Sequence, residues 1–418
     1  MHGFHGVRFR MILSGLAILS TLPAPTPAPA GEEKLACPMG REYFLYTPDG
    51  IATGPDAAAA KGPTYWLVVG VHGHRGNGKG ASGLAAWAGR GDVVVVGPSF
   101  PDGYQGLAHQ TDQQLLGLFA DLRKKFHLHP RMFLHGFSGG SQFAHRFTLA
   151  HPDAVIGCAS HSGGTWEERV DPAAAGIPFA ISCGEGDTGK SFPEAPKGRL
   201  DWFRDFVGAL KASDFSFKAR TWPGVGHSRS AGAAAITEEC FALATTGMHP
   251  PQRREVEETL QAVAAAIDAG RFGDALQRLR TLHGTAATPG AKRPPASAAK
   301  PGPKGAAPAE SPPGAPATPA AAGAGSAVAG VPEDAFGWHM SPAGRAALES
   351  ARQAHLAHAV ADLSARVEAA ALRRIEALVA EPATDAVAQL ASIAADCKDL
   401  PKVKVAANRA KARLKPAP

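Results

Sequence analysis

Residues 133–147 read FLHGFSGGSQFAHRF, and the pattern G-x-S-x-G at their centre places Ser138 between Gly136 and Gly140. In a chain with 48 glycines among 418 residues, this pattern is weak by itself. Its surroundings are more specific, because an apolar run over 131–138 predicts a strand and 141–152 predicts a helix. A serine exposed on a strand-to-helix elbow needs small residues two positions before and after it. The stretch therefore predicts that Ser138 is a nucleophile.

A serine hydroxyl is a weak nucleophile, so it needs a base, and the base needs an orienting acid. For a serine on such an elbow, the acid and then the histidine follow later in the chain. Asp187 comes just after the apolar run of FAISCGEGDTG (179–189), with Glu185 as its local competitor. His227 lies in the glycine-rich stretch TWPGVGHSRSAG (221–232), beyond the last predicted strand. We predict Asp187 as the acid, because a glycine turn lets the chain leave the strand first, and His227 as the base.

An acyl-transfer site also needs two backbone amides that hold the oxyanion of the tetrahedral intermediate. Gly139, directly after the nucleophile, supplies one predicted donor. The second is the amide of His74, in the stretch VVGVHGHRGNGKG (68–80), where a glycine-rich loop follows an early strand. His72 and His74 also have the spacing of a metal pair, but neither a carboxylate nor a third ligand lies nearby in the sequence. We therefore expect no metal and no cofactor.

Short apolar runs alternate with helical patterns between residues 40 and 247. The predicted strands are 65–73, 91–99, 131–138, 154–162, 177–187 and 215–224, and the predicted helices are 111–126, 141–152 and 199–212. Continuous runs of valine and isoleucine are typical of strands buried on both faces of a parallel sheet. Strands that alternate with helices favour a doubly wound α/β fold with a mostly parallel sheet.

Polar and aromatic residues near the ends of predicted strands are candidates for substrate binding, because open α/β sheets bind ligands at the carboxyl ends of their strands. The candidates are Tyr104, Gln105, His161 and Trp166. For each of them the alternative is a purely structural role in a loop. His135, beside the elbow, is predicted to lie behind the site or in the core, and His145 and His151 are predicted to lie at the surface.

The N-terminus has the pattern of an export signal. Arg8 and Arg10 precede an apolar run over 11–22, and the A-x-A tripeptide 28–30 offers a cleavage site. The run is too short to cross a bilayer, and the mature chain has no other transmembrane pattern. We predict that residues 1–30 are a signal peptide and that the protein is secreted or periplasmic.

The cysteines bear on a possible disulfide, and the charge pattern bears on nucleic-acid binding. In an oxidising compartment Cys37 and Cys240 could form a disulfide, and the sequence leaves this pairing open. Cys158 and Cys183 fall on predicted core strands, where a free cysteine behaves as a small apolar residue. The net charge of +6 comes without a dense basic face carrying interleaved aromatic residues, which disfavours nucleic-acid binding.

The chain changes character after the predicted catalytic domain, residues 31–250. A helical hairpin is predicted over 251–283, and the Ala/Pro/Gly-rich residues 284–332 are predicted to form a disordered linker. The following region, 333–418, is predicted to be helical, with Ser341 as an N-cap followed by a proline. We expect the apolar faces of these helices to pack on each other or on the catalytic domain, or to bind another protein.

The motifs VHGHRGNG, GFSGGSQFAHRF, CGEGD and GVGHS give residues 40–247 a resemblance to the α/β-hydrolase superfamily. Within it, the chain resembles secreted esterases of the polyhydroxybutyrate depolymerase and feruloyl esterase type. The resemblance implies a serine hydrolase that cleaves carboxylic esters without a cofactor. It implies Ser138 as nucleophile, Asp187 as acid and His227 as base, with Gly139 and His74 as oxyanion donors. Such esterases usually carry alanine or another small residue at the position of Gly139, so the subfamily stays open.

Two other functions remain open on the sequence alone, a peptidase of the same fold and a non-catalytic cell-envelope binding protein.

The length of the connection over 163–176 bears on the substrate, because lipases insert a lid between late strands of the sheet. Its length suits an ordinary connection but not a helical lid. We therefore predict an open cleft that accepts short-acyl, aromatic or polymer-linked esters.

Overall fold

The computed structural model describes residues 30–36, 42–54, 64–287, 326–327 and 334–414. Cys37, nearly all of the predicted signal peptide and most of the predicted linker lie outside these ranges. The predictions made for them stay predictions. None of the helices in the described part of the chain combines the length and the apolar character that spanning a bilayer requires.

The described residues form one twisted sheet with the strand order β1-β2-β4-β3-β5-β6-β7-β8-β9. The strands β3 to β8 run parallel to one another, whereas β1, β2 and β9 pair antiparallel to their neighbours. The strands are β1 Ala30–Ala36, β2 Glu42–Thr47, β3 Tyr65–Val71, β4 Val93–Pro98, β5 Leu128–Phe137, β6 Val155–His161, β7 Phe179–Gly184, β8 Phe217–Trp222 and β9 Ser326–Ala327.

Helices cover both faces of this sheet. The helices α1 Thr111–Lys125, α2 Gly139–Ala150 and α3 Arg199–Ala212 contribute to the core on one face. The helix α4 Ala231–Thr246 and the 3-10 segment Gly78–Arg90 contribute to the core on the other face. A mostly parallel sheet between two helical layers is the doubly wound α/β architecture, so the predicted fold class is confirmed.

The sequence of the central strands explains this layering. All six residues of β4 are buried, as expected for a strand covered on both faces. Along β3, Leu67 and Val69 point into the core under α1–α3, while Val68 points into the core under α4. Side chains of a strand alternate between the two faces of the sheet, so a continuous apolar run fills both cores.

Several elements of the catalytic part were not predicted from the sequence, among them the strands β1 and β2, helix α4 and the 3-10 segment. The last two are explained by their packing. Helix α4 buries ten of its sixteen residues, so no polar stripe marks it as a surface helix. The 3-10 segment is rich in glycine, and at Gly78 its backbone packs so tightly against Gly97 of β4 that a Cβ on either residue would overlap the other. Both elements depend on contacts with residues that are distant in sequence.

The C-terminal helices share a core of their own. They are α5 Pro250–Asp268, α6 Phe272–Ala287, α7 Pro342–Ala380, α8 Ala386–Asp396 and α9 Pro401–Leu414. Ser341 caps α7, its side chain accepting from the amide of Gly344, and Pro342 is the first helical residue. The apolar faces of α5 and α6 meet those of α7, α8 and α9, with Val263, Val367 and Leu390 fully buried between them.

A short segment before α7 joins this helical part to the sheet. Trp338 is completely buried in the core under α4, and its indole nitrogen donates a 2.7 Å hydrogen bond to Glu239 of that helix. Lys218 of β8 donates to the carbonyl of Phe336 at 2.8 Å. His339 forms a β-bridge with Phe217, at the edge of the sheet. The C-terminal region therefore contacts the catalytic sheet directly.

Candidate active site

Ser138 lies on the turn between β5 and α2, in a backbone conformation that a non-glycine residue rarely adopts, with φ 57° and ψ −121°. Its amide donates to the carbonyl of His161 at 2.9 Å, which fixes the turn to the end of β6. A Cβ on Gly136 would overlap the backbone of Gly140, and a Cβ on Gly140 would overlap the carbonyl of Val71. The two glycines of the motif are therefore required by close backbone packing around the elbow.

The three residues that the sequence placed in order meet at the carboxyl ends of β5, β7 and β8. The Nε2 atom of His227 lies 2.9 Å from Oγ of Ser138. The Nδ1 atom of the same ring lies 2.9 Å from Oδ2 of Asp187. The side chain of His227 is 34% exposed, whereas that of Asp187 is 1% exposed. A buried carboxylate, a histidine that is about one-third exposed and a serine hydroxyl bonded to that histidine form the arrangement that a serine nucleophile requires.

Asp187 is held by more than the histidine. The guanidinium of Arg199, at the start of α3, lies 3.7 Å from its second carboxylate oxygen, and the Sγ of Cys183 lies 3.8 Å from Oδ2. Burial, and then the charge of Asp187, raise the pKa of the Cys183 thiol to about 12, so the thiol stays protonated. The competitor Glu185 points elsewhere, since its exposed carboxylate accepts from Thr221 at 2.9 Å.

The loop after β3 brings the amide of His74 beside Gly139. A Cβ built on Gly139 would lie 2.8 Å from the amide nitrogen of His74. Among the described residues neither amide donates to an acceptor, as expected of donors kept free for a ligand. The hydroxyl of Tyr104 donates to the carbonyl of His72 and so holds this loop in place. The structure thus brings both predicted oxyanion donors next to Ser138.

His72 has a structural role rather than that of a metal ligand. Its Nδ1 donates to the carbonyl of Gly73 at 2.8 Å, and its Nε2 accepts from the amide of Phe100 at 3.0 Å. Burial lowers the pKa of this ring, which favours the neutral form that such a pair of bonds needs. In the described part of the chain, histidine, cysteine and carboxylate side chains nowhere gather in a group of three or more that suits a metal ion.

The four predicted binding residues take different places. Gln105 is half-buried beside the elbow, its Nε2 lying 3.3 Å from where a Cβ on Gly139 would stand. Tyr104 is fully buried and supports the loop before His74. Trp166 is also buried, stacked on Phe206 with ring centres 4.9 Å apart, so the expectation that it faces a ligand is corrected.

The remaining predicted histidines are mostly internal. His161 is buried, and its ring nitrogens lie 2.8 Å from the hydroxyls of Ser182 and Thr237. His145, predicted at the surface, is fully buried because α2 packs that face under Trp166. His151 is half-buried and bonded to Asp112. A loop or helix histidine in the sequence gives no signal that separates these cases.

Several residues around the site were not singled out from the sequence. Arg199 and Cys183 contact the acid, and Phe137 packs against the base, with its ring centre 5.1 Å from that of His227. Arg229 lies over the same phenylalanine ring, 5.8 Å from its centre. Only their positions next to predicted site residues could have suggested them.

Cys240, a predicted disulfide partner, is buried on α4, and its Sγ lies 3.3 Å from the carbonyl of Pro178. Its proposed partner Cys37 lies outside the described residues. Burial raises the pKa of the Cys240 thiol well above its usual value. The pairing stays a prediction.

The strand order of the sheet, and the turn between β5 and α2 that carries Ser138, show that the chain has the α/β-hydrolase fold. No family model matches the sequence. No curated protein matches it either.

Solved structures are similar over about half of the chain. A poly(3-hydroxybutyrate) depolymerase from Bordetella parapertussis is 18% identical, covers 53% of this chain and 91% of its own, and has a TM-score of 0.39. A ferulic acid esterase from Anaeromyces mucronatus is 13% identical, with 50% and 89% covered and a TM-score of 0.38. An acetyl xylan esterase from Aspergillus awamori is 14% identical, with 51% and 99% covered and a TM-score of 0.37.

Proposed function

We propose that the protein is a serine hydrolase that cleaves carboxylic esters. One observation carries the proposal: Ser138, on a strained elbow, is hydrogen-bonded to His227, which is hydrogen-bonded to the buried Asp187, each at 2.9 Å. Backbone strain at a residue that is also bonded to a base is a feature of functional sites rather than of ordinary turns. The free amides of Gly139 and His74 beside it supply the second requirement of acyl transfer.

The chemistry follows from these positions. His227 takes the proton of Ser138 as its Oγ attacks the acyl carbon, and Asp187 stabilises the imidazolium that forms. The amides of Gly139 and His74 hold the oxyanion. His227 then protonates the departing alcohol and leaves an acyl-serine. Water, deprotonated by the same ring, releases the acid and restores the hydroxyl.

The substrate class follows from the exposure of the site. The base is one-third exposed, and only a short connection, 162–178, joins β6 to β7. A site of this kind suits short-acyl, aromatic or polymer-linked esters, whose acyl part needs no deep tunnel. Export through the predicted signal peptide, to the periplasm or the medium, agrees with an external ester or polymer as substrate.

Labelling with a fluorophosphonate and turnover of p-nitrophenyl butyrate test the proposal. Wild type and the control Ser213→Ala, at the end of α3, are expected to react with both, because Ser213 is remote from the elbow. Ser138→Ala is expected to lose the label and several orders of magnitude of turnover. If wild type is labelled and hydrolyses a peptide but not p-nitrophenyl butyrate, the result would favour the peptidase. No label on wild type would favour a binding protein.

A further inference from the structure

A small space lies open above the α-carbon of Gly139, on the side that faces the loop after β3. A Cβ on Gly139 would fill this space, 2.8 Å from the amide nitrogen of His74 and 3.3 Å from Nε2 of Gln105. The hydroxyl of Tyr104 lies 3.2 Å from the same point. The side-chain amide of Gln105 therefore borders the same space as the two predicted oxyanion donors, and a side chain at position 139 would crowd it out.

The turn that carries Gln105 is fixed on both sides. Residues Tyr104–Gly106 form a 3-10 turn, and the hydroxyl of Tyr104 donates to the carbonyl of His72. The backbone carbonyl of Gln105 accepts from Nη1 of Arg146, on α2, at 2.9 Å. The guanidinium of Arg146 is itself paired with Glu167. The turn is thus tied to the loop after β3 and to the helix after the elbow, so the base of the Gln105 side chain is held in place before any substrate arrives.

The side chain of Gln105 has no acceptor of its own. Among the described residues its amide makes no hydrogen bond, since the bond from Arg146 reaches only the backbone carbonyl. The residue is half-buried, and its amide is not enclosed by the protein. A glutamine amide carries two N–H donors. A donor without an acceptor, held beside the place where negative charge develops, is what stabilisation of an oxyanion requires.

We propose that Gln105 is a catalytic residue whose Nε2 donates a third hydrogen bond to the oxyanion. The inference rests on the proposed function and adds a residue to that site. As Oγ of Ser138 bonds to the acyl carbon, its proton passes to His227 and the carbonyl electron pair moves onto the oxygen. The amides of Gly139 and His74 hold this oxygen, and Gln105 donates from the third side. Because the full charge exists only in the intermediate, the donor acts on kcat rather than on KM.

Two substitutions at position 105 test the direction of this hydrogen bond. Gln105→Ala removes the donor and is expected to lower kcat on p-nitrophenyl butyrate about ten-fold to a hundred-fold, the size of one hydrogen bond to a charged group. Gln105→Glu keeps the length of the side chain but brings a negative charge to the oxyanion, so kcat is expected to fall further than in the alanine variant. KM is expected to stay close to that of wild type in both. The same substitutions at Gln261, exposed on α5, are the control and are expected to keep kcat.

A trifluoromethyl ketone gives a second measurement that does not depend on turnover. In 1,1,1-trifluorohexan-2-one the carbonyl carbon bonds to Oγ of Ser138, the serine proton passes to His227 and the oxygen becomes an oxyanion. Its dissociation constant, measured by fluorine NMR, is expected to rise at least ten-fold in Gln105→Ala and to stay unchanged in Gln261→Ala. Urea unfolding of each variant is expected to match wild type, because Gln105 is bonded to Arg146 through its backbone.

The outcomes separate this inference from the proposed function. Unchanged kcat in Gln105→Ala, equal kcat in the alanine and glutamate variants, a rise in KM alone, or a loss of kcat that follows a loss of stability would overturn the inference and leave the hydrolase intact. Ketone binding that depends on Gln105, in a protein without ester turnover, would overturn the proposed ester hydrolysis and keep the oxyanion donor. A wild type that neither binds the ketone nor hydrolyses an ester would overturn both.

Discussion

The α-carbon of Gly139 approaches the backbone amide of His74 so closely that a Cβ on Gly139 would lie 2.8 Å from the nitrogen of that amide. The same Cβ would lie 3.2 Å from the hydroxyl of Tyr104, which is itself bonded to the loop carrying His74. Two predicted oxyanion donors from distant parts of the chain therefore pack against each other. This contact explains the glycine, because a side chain at position 139 would displace the amide of His74.

Gly139→Ala should displace the amide of His74 and lower kcat on p-nitrophenyl butyrate roughly 10²-fold, the size of one lost oxyanion donor. Steady-state kinetics measure the effect. The matched control is Gly208→Ala, on an exposed position of α3 where a Cβ meets nothing within 4 Å. It should keep kcat and raise the free energy of unfolding by about 0.5–1 kcal/mol. Equal kcat values for the two variants would show that the amide of His74 does not contribute to catalysis.

Substitutions of the two carboxylates after β7 should have very different effects on kcat. Asp187→Asn places an amide against the Nδ1 of His227 and favours the wrong tautomer, so kcat should fall by roughly 10³–10⁴. Glu185→Gln changes an exposed group bonded only to Thr221 and should leave kcat within about two-fold of wild type. The ranking is read from kcat at saturating p-nitrophenyl butyrate. The reverse ranking would identify Glu185 as the acid that orients His227.

Acid should destabilise the protein through its buried histidines. Burial lowers the pKa of His135 to about 3, while in the unfolded chain the pKa is about 6.5. Below that value the unfolded state takes up a proton that the folded state does not. Between about pH 7.5 and pH 5.5 this histidine alone should therefore remove about 1.4 kcal/mol of stability.

Urea unfolding of wild type and His135→Gln at the two pH values measures this contribution. The variant should lose about 1.4 kcal/mol less than wild type over the interval, while His145 and His161 keep a loss of the same sign in both proteins. Parallel losses in the two proteins would mean that His135 is protonated in the folded state.

The segment that carries Trp338 should stabilise the catalytic sheet as well as the helices. Trp338→Ala empties a fully buried site and removes the indole hydrogen bond to Glu239, so it should lower the free energy of unfolding by roughly 3–5 kcal/mol. Phe192→Ala, at a side chain that is 48% exposed, serves as the control and should stay within about 0.5 kcal/mol of wild type. Chemical denaturation measures the free energy of unfolding of both variants. A small loss for Trp338→Ala would mean that the helical part is only tethered.

If the cleft is open, as predicted, the protein should discriminate against long acyl chains. Each methylene left in water forfeits about 0.8 kcal/mol of binding free energy, so kcat/KM on p-nitrophenyl esters should fall beyond butyrate. No rise in rate is expected at an oil–water interface. A series from acetate to dodecanoate, assayed with and without emulsion, measures both. Preference for dodecanoate would reveal a covering element over the site.

The candidate site could be read from the sequence because each of its parts is a local pattern. Gly136 and Gly140 bracket Ser138, Asp187 follows the apolar run of one strand, and His227 follows that of another. Parallel strands bring their carboxyl ends to the same edge of the sheet. Order along the chain was therefore enough to predict which side chains meet.

Other features depended on contacts that no local pattern records. Helix α4 buries ten of its sixteen residues and carries alanine at several exposed positions, so its sequence lacks the alternation of polar and apolar faces that predicts a surface helix. Trp166 and His145 lie under α3 and its neighbours, although a loop tryptophan and a helix histidine in the sequence look equally suited to the surface.

The sequence by itself determined the α/β class and indicated that Ser138, Asp187 and His227 would meet, since hydrophobic periodicity and glycine turns act over a few residues. Only the tertiary structure decided that Arg199 lies beside Asp187, that Arg229 and Phe137 line one cavity, and that Trp338 packs under α4. These contacts join residues far apart in the chain. Their partners are selected by the packing of the whole fold, which short-range patterns do not encode.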